Sequence, residues 1–150
     1  MRQSVRFKMD NDLLAEEFFE DSRLIGIVAP IKDYQFSWHL NQIMGLKFRM
    51  NNDIEIQLTK KQRTYFFSIY EYEVPSSSLK HYLYKNHFDG EYLLPEFKHL
   101  DFLWMIKGKG EMISTEELNV LMQSIKTLPG VQLVSEMTNE KIKNKQHLIF

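Results

Sequence analysis

Apolar and polar residues alternate with a period of two in some stretches and of about 3.6 in others, and the switches between them divide the chain into elements. Val5, Phe7 and Met9 alternate with Arg6, Lys8 and Asp10, which predicts a half-buried strand. Asp12 is placed to cap a short helix over 13–20, with Leu13, Leu14, Phe18 and Phe19 on one face and acids near its start that suit the helix dipole. The apolar run Leu24 to Ala29 stops at Pro30 and reads as a short buried strand or extended segment, helix being the lesser alternative. Asp33 reads as the cap of a helix to about Met44, with Phe36, Leu40, Ile43 and Met44 on one stripe, Trp38 off it, and Gly45 where a C-terminal cap belongs.

After a turn signal at Asn51-Asn52-Asp53, Ile54, Ile56 and Leu58 alternate with Glu55 and Gln57, a one-faced strand. The polar link from Thr59 to Gln62 joins it as a hairpin to a strand from Arg63 to Tyr72 that is apolar on both faces and is expected to sit centrally. A loop at Pro75–Ser78, a strand over 79–86 carrying Tyr82 and Tyr84 on one face, and a turn at Asp89-Gly90 follow. Leu100 to Ile106 reads as a second central strand. Ser114 opens a capping box before a helix with Leu118, Leu121, Met122 and Ile125 in a stripe, which stops at Pro129-Gly130. Val131, Leu133 and Ser135 then alternate with Gln132, Val134 and Glu136, and the Lys-rich tail ends on Leu148-Ile149-Phe150, three apolar residues expected to dock on the core or on a neighbouring subunit. The pattern predicts one α+β domain over residues 1–150, with a predominantly antiparallel sheet of about five to six strands and two to three helices packed on one face.

Composition narrows the chemistry. A chain of 150 residues can bury a single core, roughly 68–70% of its unfolded surface, without a staple. There is no cysteine, which excludes disulfides, thiolate metal sites and cysteine nucleophiles. The net charge of −1 argues against a whole-domain grip on nucleic acid or on an anionic membrane. No segment has the h-region of a secretory signal or the ~18 apolar residues of a membrane span, so a cytoplasmic, soluble chain is expected.

One segment carries a family likeness. Leu93-Leu94-Pro95-Glu96-Phe97-Lys98-His99-Leu100-Asp101-Phe102 reads, with conservative exchanges, as Ile-Pro-Glu, three free positions, then Val-Asp-Tyr. In this the chain resembles the IPExxxVDY family of bacterial proteins. The look recurs in Leu24–Ile27, Lys32–Tyr34, Trp38 with Leu40-Asn41, Phe67–Tyr72, Leu128–Val131 and Leu148–Phe150. It departs at Leu94, Leu100 and Phe102, the last lacking the tyrosine hydroxyl. The resemblance implies no reaction, ligand or partner.

Glu96 and Asp101 are candidate paired carboxylates, but a spacing of five on an extended chain puts them on opposite faces; the simpler reading has Glu96 accepting N–H groups in the turn after Pro95 and Asp101 closing the start of a strand. His39, His81, His87, His99 and His147 form no metal-binding spacing, although His81, His87 and Asp89 lie close in sequence. Lys107-Gly108-Lys109-Gly110 stands where a phosphate could be held but lacks the phosphate-loop spacing, and the aromatic strand over 64–70 lacks the basic and glycine residues of base-stacking sheets. No serine sits in a nucleophile elbow. The expected function is therefore a non-enzymatic module, with no metal or cofactor, that buries an aromatic sheet face bearing Phe66, Tyr70 and Tyr72, together with Phe150, in a homodimer or against a partner protein. The alternative is a small-ligand domain with a pocket near Glu96 and Asp101, joined by Trp38 and Tyr70.

Overall fold

The computed structural model describes residues 20–138 and 141–148. They run β1 (Ser22–Val28), α1 (Asp33–Met44), β2 (Arg49–Lys60), β3 (Arg63–Glu73), β4 (Lys80–Lys85), the short pair β5 (His87–Phe88) and β6 (Glu91–Tyr92), a 3-10 turn at Pro95–Phe97, β7 (Phe102–Lys107), α2 (Thr115–Lys126), β8 (Leu133–Met137) and a 3-10 turn at Lys145–Leu148. The strand predicted over 5–9, the helix over 13–20 up to its last residue, and Phe150 lie outside the described residues.

Six strands form one antiparallel sheet in the order β2-β3-β4-β7-β1-β8, and β5 pairs with β6 apart from it. With two helices this is the expected α+β domain. Both tight hairpins use residues in the left-handed region, Lys61 and Gln62 at φ 51° and 66° and Asp89 and Gly90 at φ 51° and 85°, the turns whose twist matches that of the strands they join.

The sheet separates two apolar layers. On one side, Phe36 and Leu40 of α1 and Leu118 and Ile125 of α2 pack on Ile25, Ile27, Tyr70, Leu83, Trp104 and Val134, so both helices cover the same face. On the other side, Leu24, Phe67, Ile69, Tyr84, Leu103 and Met105 lie beneath the loop residues Leu93, Leu94, Phe97 and Leu100 and the tail residues Ile142 and Leu148. The second face is thus covered by loop and tail rather than left bare. It is also not the face of Tyr70 and Tyr72: cross-strand register sets Tyr70 with Leu83 and Trp104 on the helix side, and Leu103 with Tyr84 and Ile69 on the other. Gly26 lets these layers close, because a Cβ there would stand 2.6 Å from Leu100 Cδ1 and 2.9 Å from Met137 Sδ.

Three local expectations are corrected. Asn51-Asn52-Asp53 is no turn; it lies within β2, where the register against β3 shifts between Met50 and Glu55. Asn51 Oδ1 accepts the Asp53 N–H at 2.9 Å, so the turn chemistry makes a bulge instead. Asp33 is the first helical residue, not the cap: Lys32 occupies the cap position, its N–H donating to Gln35 Oε1 at 3.2 Å, and Asp33 Oδ2 accepts the Tyr70 hydroxyl at 2.9 Å. In β8 it is Val134 that faces the core, while Leu133 is exposed.

The sheet narrows beside the bulge. β4 pairs with β3 only from Ile69 to Glu73, so 63–68 continue with β2 alone as a two-stranded arm. Ile56, Tyr65 and Phe67 on its inner side join the loop-side core, and the strands β3 and β4 part beyond Ile69 and Tyr84.

Candidate functional site

The motif loop is built around a residue that sequence reasoning did not single out. Asn86 follows β4 and is fully buried. Its Nδ2 donates to the carbonyls of Phe97 at 2.8 Å and Leu100 at 3.0 Å, and its Oδ1 accepts the Leu94 N–H at 2.8 Å. Its backbone N–H donates to the Asp101 carbonyl and its carbonyl accepts the Leu93 N–H, so one residue ties both ends of the loop from 93 to 101. Asn in a run of strand residues carries no sequence signal for this role beyond its neighbour His87 and the turn that follows.

Glu96 sits in the 3-10 turn and faces the tail. Its Oε2 accepts the N–H groups of Lys143 at 2.6 Å and Asn144 at 2.8 Å, and its Oε1 accepts the Asn144 amide at 2.9 Å. Beyond its own turn N–H, its donors thus lie 47 and 48 residues away in the tail. Burial pushes the Glu96 carboxyl up, but the Asn144 side chain and the backbone N–H groups outweigh it and hold the group below its usual range. Nearby, His147 Nδ1 lies 2.7 Å from the Leu93 carbonyl and the Tyr84 hydroxyl donates to the Leu148 carbonyl at 2.9 Å, so four tail residues are strapped to three residues of the loop and sheet.

Asp101 serves another segment. Its Oδ2 accepts the Ala29 N–H at 2.8 Å, its own N–H donates to the Ile27 carbonyl, and its carbonyl accepts the Asn86 N–H. Its Oδ1 lies 3.7 Å from His87 Nε2, beyond a hydrogen bond. Glu96 and Asp101 thus bind different partners, one the tail and one the end of β1.

A cleft of about 200 Å³ opens where β3 and β4 part, lined by Asp33, Phe66, Phe67, Ser68, Lys85, His87 and Phe88. The structure brings Phe66 here directly, Tyr70 through its bond to Asp33, and Asp101 through His87. Glu96 does not line it, and Trp38 stands apart on the outer face of α1 at 58% exposure, one turn from Tyr34 at 60%. Tyr72 is in the sheet, its ring stacked 4.4 Å from His81.

The remaining candidates resolve into local structure. His81 is buried and accepts the Trp104 Nε1–H at its Nδ1 at 2.9 Å, and burial pushes its imidazole down to about 4. Asp89 pairs with Arg63 instead of a histidine. Among the described residues no group of three His, Asp or Glu side chains is placed to hold a metal. In the Lys107–Gly110 loop, Asp21 accepts from Lys107 Nζ at 2.7 Å and from the Gly110 N–H at 3.0 Å, so an internal carboxylate takes these donors. No described helix is long and apolar enough to cross a membrane.

No protein-family model matches the chain, and no curated protein matches it.

The brace reading of Glu96 has a direct test. Glu96→Ala should lower stability by about 1–3 kcal/mol, because three donors lose their acceptor. At about 2–4 °C per kcal/mol this is visible in a thermal melt, and Glu96→Gln, keeping one acceptor oxygen, should lose less. Because the folded-state carboxyl is held low, its contribution is present above the ordinary carboxylate range and fades as pH falls through the folded value; the gap between wild type and Glu96→Ala should close in strong acid. A neutral or raised melting temperature in Glu96→Ala would make the motif a binding site instead.

Proposed function

We propose that the protein is a non-enzymatic module, of the IPExxxVDY type that its motif resembles, which works by contact with a second copy of itself or with another protein. The contact is assigned to the outer face of α1 rather than to the aromatic sheet face, since Tyr70 is buried beneath the helical layer and Tyr72 is half-buried there. The observation that carries this is the exposed pair Tyr34 and Trp38, four residues apart on one side of α1. Large aromatic side chains left in water on a helix are the residues that dominate protein interfaces when covered.

The two tryptophans make the test simple, because Trp104 is fully buried and only Trp38 meets water. On raising the concentration, the mass in solution should double while the emission of Trp38 shifts to the blue. Trp38→Ala should remain folded and monomeric. A wild-type chain that stays monomeric at millimolar concentration, with unshifted emission, overturns self-association and leaves only a different protein as the partner.

A further inference from the structure

The cleft between β3 and β4 has three properties that the fold alone does not call for. First, its floor is a broken ladder: Phe67 and Ser68 pair with Ile56 and Glu55 of β2 but have no strand partner on the β4 side. Second, two phenyl side chains on its walls, Phe66 and Phe88, are 43% and 44% exposed, although Phe67 between them is fully packed. Third, charges of both signs stand at its rim. Asp33 uses Oδ2 for Tyr70 and keeps a second oxygen, and Lys85 takes no part in any ion pair among the described residues.

The volume sets the scale of an occupant. About 200 Å³ is the space of roughly seven waters, below the range of drug-sized pockets and suited to a molecule of about a dozen heavy atoms. A pure anion would meet Asp33, and a pure cation would meet Lys85; a compact zwitterion satisfies both. The rings of Phe66 and Phe88 add an apolar body to that description.

We propose that this cleft binds a free α-amino acid with an aromatic side chain, the ring against Phe66 and Phe88, the carboxylate on Lys85 and the ammonium on Asp33. The site is distinct from the α1 contact at Tyr34 and Trp38, although Asp33 is the first residue of the same helix.

Titration calorimetry on the full chain with L-phenylalanine tests it, alongside 3-phenylpropanoate, which lacks the ammonium, phenethylamine, which lacks the carboxylate, and glycine, which lacks the ring. Phenylalanine should bind at least tenfold tighter than each, about 1.4 kcal/mol per tenfold. Lys85→Met should weaken phenylalanine at least tenfold and leave phenethylamine unchanged, and Phe88→Ser should weaken phenylalanine with an unaltered far-ultraviolet spectrum. Absence of binding at 10 mM phenylalanine, equal affinity for glycine, or unchanged affinity in both variants would each overturn the proposal. Equal affinity for 3-phenylpropanoate would overturn the zwitterion in favour of a simple aromatic acid.

Discussion

Asn86→Ala should cost roughly 3–6 kcal/mol and on the order of 10–20 °C in melting temperature. The substitution removes no apolar packing of consequence; it orphans two carbonyls and one N–H in the buried loop, each worth about 1–3 kcal/mol when left unpaired. Against a total of about 5–15 kcal/mol, that loss approaches the limit of foldability. Asn86→Asp sharpens the test, because a carboxylate would face the carbonyls of Phe97 and Leu100 and could donate to neither unless protonated. Its melting temperature should rise on mild acidification, opposite to the wild type. A melt of Asn86→Ala within a few degrees of wild type would show that the loop is held by something other than this side chain.

Acid should weaken the wild-type protein in a window set by His81. Above about pH 6.5 the imidazole is neutral both folded and unfolded and contributes nothing to the pH dependence. As pH falls below that value the unfolded chain takes up a proton that the buried ring refuses, and stability drops until pH reaches about 4, where the effect levels off. At about 1.4 kcal/mol for each pH unit between the two values, the loss reaches roughly 3 kcal/mol. Urea unfolding at pH 7.5, 5.5 and 4 measures it. His81→Phe should be flatter across this window and weaker at its upper end, because Trp104 Nε1–H loses its acceptor, with the gap to wild type closing towards pH 4. The Glu96 contribution fades at lower pH, below the ordinary carboxylate range, so the two groups separate on the pH axis.

Much of the fold was legible because its signals are local. The helix ending at Gly45, the capping serine at Ser114, which accepts the Glu117 N–H at 3.1 Å, and the turns at Lys61-Gln62 and Asp89-Gly90 each depend on a few neighbouring residues. What period-two reading could not supply was the alignment between strands. Tyr70 and Leu103 both lie in strands expected to sit centrally, yet register places them on opposite sides of the sheet. The partners of Glu96 were invisible for the same reason, as Lys143 and Asn144 lie in a polar tail with no pattern of its own. Asp33 shows a different failure: it has the composition of a cap, and tertiary structure spends its carboxylate on Tyr70. Asp101 was read as closing the start of a strand, and it stands immediately before β7; its hold on Ala29 of another element could not be read.

The place of β1 between β7 and β8 bears on how the chain is made. Leu24 lies opposite Met105 and Met137, so the earlier of its two partners is synthesised about 80 residues after it. At ribosomal speeds of about 5–20 residues per second, the uncharged run Leu24–Val28 waits roughly 4–16 s with neither edge occupied, while the hairpins of β2, β3 and β4 can close as soon as they emerge. β1, one place in from the β8 edge, is thus the last strand to be enclosed, and during that interval the nascent chain carries a bare, β-prone segment open to pairing with a neighbouring chain.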